Sequence, residues 1–114
     1  MRLTSWTAPA DLDPECLALC TAINDHVEGI ITTESCCGHG ERPYRIWIHP
    51  LSFGALPPLL YWLDRCHTGY HGWQVVAYTD CGAGGPFFMI EGPAGAYEEA
   101  GKIAALLADA AEAP

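Results

Sequence analysis

Residues 30–49 read as one β-hairpin, and no other stretch limits the fold as much. Ile30–Ser35 is a β-branched, strand-like run. Tyr44–His49 alternates cleanly, with Tyr44, Ile46 and Ile48 against Arg45, Trp47 and His49. Between them lies the turn CCGHGERP, residues 36–43. A short connection of this kind makes the two strands antiparallel neighbours. The alternation gives their sheet one apolar face that must be covered and one mixed face.

The flanking segments supply the cover. Asp13-Pro14-Glu15 opens a helix, with Asp13 as N-cap and Pro14 at the first helical position. Leu12, Cys16, Leu19, Cys20, Ile23 and Val27 then fall on one helical face, and Gly29 ends the helix. Pro50 breaks the second strand. Ser52 can cap a second helix running to His67, with Leu56, Leu59, Leu60, Leu63, Cys66 and His67 as its stripe. Pro57 and Pro58 are confined to the first turn of that helix. Trp73–Thr79 and Phe87–Glu91 read as strands three and four, separated by the loop CGAGGP. An Ala-rich helix over Gly95–Ala111 closes the chain, with Tyr97, Ile103, Ala104 and Leu107 inward. The order α-β-β-α-β-β-α predicts an α+β two-layer sandwich. It has a four-stranded, mostly antiparallel sheet with helices on one face. Residues 1–114 are expected to form a single domain, with 1–13 an irregular lead-in.

This topology sorts the cysteines and histidines. Call the end of the sheet that carries the CCGHG turn the top. Strand directions then bring Cys36, Cys37, His39, Cys66, His67 and His71 to the top, and leave His26, His49 and Cys81 at the bottom. The chemistry is therefore expected at the top. Cys16 and Cys20 read as small core residues.

Three readings of the turn follow. Zinc takes Cys and His in tetrahedral sets, and a subset of Cys36, Cys37, His39, Cys66, His67 and His71 could supply one. No C-x-x-C is present, and adjacent cysteines in extended chain point to opposite faces, so only one of Cys36 and Cys37 is expected beside His39. As a thiol enzyme, Cys36 with His39 would be the nucleophile–base pair, with Cys37 and His67 as the other choices. As a ligand-binding turn, Gly38 and Gly40 free the backbone to aim N–H groups at a small anion, with Ser35, His39, Arg42 and Arg45 as further donors. The loop CGAGGP fits no phosphate-binding fingerprint, because a strand rather than a helix follows it.

Thr33-Glu34-Ser35-Cys36-Cys37-Gly38-His39 resembles the T-x-S-C-x-G-R signature of the Tyw3 family, which methylates a tRNA wybutosine precursor with S-adenosylmethionine. Thr33, Ser35, Cys36 and Gly38 match, and His39 stands where that family has Arg. The segment also resembles small uncharacterised, phage-type proteins with S-C-x-G-H between two strands. The resemblance implies a site at this turn on a related αβ sheet, and a Tyw3-like enzyme is one of the alternatives it carries.

Charge narrows the partners. Five Lys+Arg against 14 Asp+Glu give a net charge of −9, which opposes nucleic-acid backbones and anionic membranes. No apolar run approaches the roughly 20 residues of a membrane span. The start of the chain lacks the apolar region of a signal peptide, so a reduced, cytoplasmic setting is expected. The expectation is a small binding module for a metal ion or small anionic ligand, with an acidic protein that docks onto a basic partner as a further alternative. Arg45, Trp47 and His49 on the uncovered face predict a homodimer through that face, or a lid formed by the segment around Trp6.

Overall fold

The structure is a computed structural model that describes residues 6–60, 72–79 and 86–112. Its elements are α1 (Pro14–His26), β1 (Ile30–Cys36), β2 (Tyr44–Pro50), α2 (helical at 56–60), β3 (Gln74–Tyr78), β4 (Phe87–Gly92) and α3 (Tyr97–Glu112). The order is α-β-β-α-β-β-α, as the sequence predicts. The sheet runs β1-β2-β4-β3, and every neighbouring pair is antiparallel. No helix among the described residues is long and apolar enough to cross a membrane. Leu63, Cys66, His67, His71 and Cys81 lie outside the described residues.

One face of the sheet carries the core. Ile30, Tyr44, Ile46, Ile48 and Ile90 are buried there under α1 and α3, which pack against each other. Cys16, Leu19, Cys20, Ile23 and Val27 form the inner stripe of α1, and Ala100, Ile103, Ala104 and Leu107 that of α3. Pro57 and Pro58 do fall in the first turn of α2, where their missing N–H groups remove no helical bond. Leu60 departs from its expected stripe and is 46% exposed. Trp73 precedes β3 instead of opening it, and its indole lies flat on Gly92. A Cβ at Gly92 would come within 2.6 Å of that ring.

β1 contains a bulge between Thr32 and Glu34. Thr32 pairs with Ile48 and Ser35 with Ile46, so both turn towards the helices, whereas Glu34 and Cys36 pair with Trp47 and Arg45 on the other face. Strict alternation from Ile30 would have driven Glu34 under α1. The extra residue at Thr33 moves that carboxylate to the open face.

A buried polar link fastens α1 to β1. Asn24, 1% exposed, donates to the Thr32 hydroxyl at 2.6 Å and to the Cys20 carbonyl at 2.8 Å. Its Oδ1 accepts the Thr32 backbone N–H at 3.0 Å. Periodicity does not reveal this residue, because a polar side chain on an apolar face reads as a helix boundary rather than a staple.

The opposite face shows Arg45, Trp47 and His49, with Gln74, Val76 and Tyr78 as the outward set of β3. Arg45 Nε donates to Glu91 at 2.8 Å, and Gln74 donates to the same carboxylate at 3.0 Å. Trp47 Nε1 donates to the Tyr78 hydroxyl at 3.1 Å, and Tyr78 stacks on Phe87 at 5.3 Å. Trp6 packs partly buried against the core cluster and, with Trp47, lines a cleft alongside β1.

Asn24→Ala should cost about 2–3 kcal/mol in urea unfolding, because it strands the Thr32 N–H as well as removing the amide bonds. Thr32→Val, which keeps that N–H bonded to Asn24, should cost less than half as much.

Candidate metal centre

The turn that joins β1 to β2 is wound left-handed. Gly38, His39 and Gly40 have φ of 75°, 54° and 81° in succession. Gly38 cannot be another residue, because a Cβ there would meet the Pro43 carbonyl oxygen at 2.7 Å. His39 is the sole described non-glycine residue with positive φ. An L side chain held there costs on the order of 1 kcal/mol.

The backbone N–H groups of the turn are turned inward. Cys37 donates to Asp13 Oδ2 at 3.0 Å, Gly38 to Cys36 Sγ at 3.4 Å and His39 to Cys37 Sγ at 3.4 Å. Glu41 and Arg42 both donate to the Gly38 carbonyl, at 3.1 and 3.0 Å. Sulfur, carboxylate and a backbone carbonyl thus take the donors that an anion would have used. The turn gathers two sulfurs and one carboxylate around its own backbone.

Asp13 is the residue sequence reading assigned to another task. It occupies the N-cap of α1, yet its side chain makes no capping bond. Its carboxylate reaches instead across to the Cys37 N–H. That bond is the main reason its pKa falls below the ordinary 3.8, with a smaller contribution from the thiol of Cys37 and from His39. Asp13, Cys36 and His39 each present one donor atom, and the three atoms lie within 4.8 Å of one another. Asp13 and Cys36 are half-buried and His39 is exposed.

The other candidates fall around this group. Cys37, 3% exposed, faces the core side; its sulfur lies 3.6 Å from His39 Nδ1 and beside the Tyr97 hydroxyl. Both cysteines therefore stand beside His39 where only one was expected, because the chain leaves the extended conformation at Cys37. Burial pushes the Cys37 thiol pKa up, which disfavours it as a nucleophile. Ser35 turns under α1 towards Cys16 and Cys20. Arg42 is exposed, and Arg45 is paired with Glu91. Burial likewise raises the Cys16 thiol, and takes Cys20 to about 11, consistent with inert core thiols. His49 lies near the end of β2, at the opposite end of the sheet, while Cys66, His67, His71 and Cys81 lie outside the described residues. The signal that could have found Asp13 was topological. The start of α1 arrives at the same end of the sheet as the turn.

Comparison with protein-family models, with curated proteins and with solved structures gives no match.

The linkage of Asp13 to pH has a definite sign. A carboxylate whose folded pKa is depressed contributes stability above its unfolded pKa and loses it as the pH falls through the folded value. Asp13→Ala should therefore destabilise at neutral pH by about 1 kcal/mol, at the low end for a charged acceptor because the site is partly solvated. The difference from the parent should vanish as the pH falls below 3.8 and through the lower folded value, measured by urea titrations across that range.

Proposed function

We propose that the protein is a metal-binding module in which Asp13, Cys36 and His39 hold one zinc-type divalent ion at the hairpin turn. The observation that carries this reading is the convergence of three donor atoms within 4.8 Å, on a turn that keeps His39 in a conformation disfavoured for its residue type. A tetrahedral ion with arms of about 2.0–2.3 Å sets its ligand atoms roughly 3.3–3.8 Å apart. The group needs only a small contraction to reach that spacing.

The donor set suits a borderline ion. A thiolate, an imidazole and a carboxylate together match zinc better than a hard ion such as magnesium. The Gly38 N–H on Cys36 Sγ would stabilise the thiolate once the ion displaces its proton. Cys37 beside His39 Nδ1 is placed to orient the ring when the other nitrogen serves as ligand. Three protein ligands leave a fourth position for water or a small ligand, as in zinc sites that do more than hold a fold together.

The same proximity supports a second reading, with Cys36 as a nucleophile and His39 as its base. Alkylation separates the two. An activated thiol reacts fast in the metal-free protein, whereas a metal ligand is protected by added zinc.

The test is a zinc titration of chelator-treated protein against a chromophoric competitor, with native mass spectrometry for the count. One ion per chain is expected, with a rise in melting temperature. Cys36→Ser and His39→Gly should each weaken binding by at least about tenfold, in line with the loss of one ligand. His39→Gly should also leave the metal-free protein as stable as the parent or more so, because glycine accepts positive φ without strain. Binding that survives both substitutions undiminished, or no binding at all, would overturn the proposal.

A further inference from the structure

The open face of the sheet carries a second constellation that shares no residue with the metal group. Trp47 is anchored, since its indole N–H is bonded to the Tyr78 hydroxyl on β3, two strands away. Tyr78 in turn stacks on Phe87, with ring planes 27° apart. The three rings form a platform across β2, β4 and β3. Pre-fixed rings lose little freedom when something stacks on them.

A cleft of roughly 580 Å³ opens over this platform, lined by Thr33, Glu34, Trp47, His49, Tyr78 and Phe87 among others. That size falls within the span of about 300–1,000 Å³ typical of small-molecule sites. Glu34 stands directly opposite Trp47 in the β1–β2 register. It was carried there by the bulge at Thr33, it is exposed, and its carboxylate has no ion pair or hydrogen bond among the described residues. Arg45 on the same face is committed to Glu91 at 2.8 Å. The cleft therefore combines electron-rich ring faces with an unneutralised carboxylate, in a chain of net charge −9.

We propose that this cleft binds a small organic cation of the alkylammonium class, seated on Trp47 and Tyr78 with its charge towards Glu34. Aromatic faces attract cations through the ring quadrupole, most strongly at Trp. The adjacent carboxylate adds direct attraction at the same point. A phosphate-bearing aromatic could use the rings, but would meet Glu34 and the overall field as repulsion. An uncharged ring would stack without using Glu34. A second cleft, along the edge of β1, also includes Thr33, Glu34 and Trp47 in its walls, so the Glu34–Trp47 pair is approachable from two sides.

The probe is choline, compared with its uncharged isostere in which a tert-butyl group replaces the trimethylammonium. Both are titrated into the full chain at about pH 8. Binding is followed by indole N–H NMR, with and without zinc. Choline should bind saturably in the millimolar range and shift the Trp47 indole signal more than that of Trp73. The isostere should bind at least about fivefold more weakly, the size of a partly desolvated cation–π contact. Glu34→Gln, a surface change that leaves the fold intact, should weaken choline several-fold and leave the isostere unchanged. Trp47→Ala should abolish both. Zinc should alter none of this, so failure of the metal reading leaves the result standing. Equal binding of choline and its isostere would overturn the proposal. So would indifference to Glu34→Gln, tighter binding of a nucleoside monophosphate, or a concentration-dependent dimer that buries Trp47.

Discussion

The phenol of Tyr44 is the point on which the rest of this structure depends. Its ring is fully buried, edge-on to Trp73 at 5.5 Å and tilted against Tyr97 at 6.3 Å. Its hydroxyl donates to the Glu15 carbonyl at 2.9 Å, in the first turn of α1. Tyr44 is the first residue of β2, immediately after the left-handed turn. One side chain therefore joins the hairpin, the start of α1, the entry to β3 and the start of α3. Burial holds its ionisation well above the usual range for a phenol, so the hydroxyl remains a donor at any working pH. Because Tyr44 fixes the first turn of α1 against the hairpin, the Asp13 carboxylate can reach Cys37. The candidate metal group exists because an aromatic core contact has already placed its two halves side by side.

The layer order and the apolar faces were legible because they are local. Tyr44–His49 alternates with period two, and Cys16–Val27 repeats with helical spacing; both signals survive in the structure almost residue for residue. What was not legible depends on contacts between distant positions. Asp13 carries every local mark of an N-cap, and only its partner 24 residues away shows that its carboxylate is used elsewhere. Arg45 reads as a free cation beside the turn until Glu91, 46 residues on, is seen to neutralise it. Asn24 looks like an interruption of the α1 stripe until Thr32 is brought beneath it. The bulge at Thr33 leaves no trace in composition, yet it decides which face receives Glu34 and Cys36. Of the site itself, the turn, Cys36 and His39 could be picked out by residue type, whereas the third donor had to come from the fold.

The two faces of the sheet are thus governed by different forces. The inner face is stabilised by removal of apolar area from water, with one polar staple at Asn24 whose donors and acceptor are all satisfied. The outer face carries a ladder of polar links, Arg45–Glu91–Gln74 near the turn and Trp47–Tyr78 farther down. Exposed pairs of this kind contribute little to stability. Their effect is to fix side-chain orientation, which holds the Trp47 and Tyr78 rings in a defined arrangement on the surface.

The strand order has a consequence for how the chain acquires this arrangement during synthesis. α1, β1 and β2 are consecutive, and their contacts can form as soon as residue 50 has emerged. The strand that completes the far side of β2 is β4, which ends at residue 92. Until then the N-terminal unit exposes a β2 edge rich in Ile and Trp, together with the underside of Tyr44. The nascent protein passes through an interval with an unpaired, sticky margin, the situation in which strands from separate chains join. β3 and β4 pair with each other as a local hairpin, so the sheet closes when the β4 edge of that hairpin docks onto the waiting margin of β2.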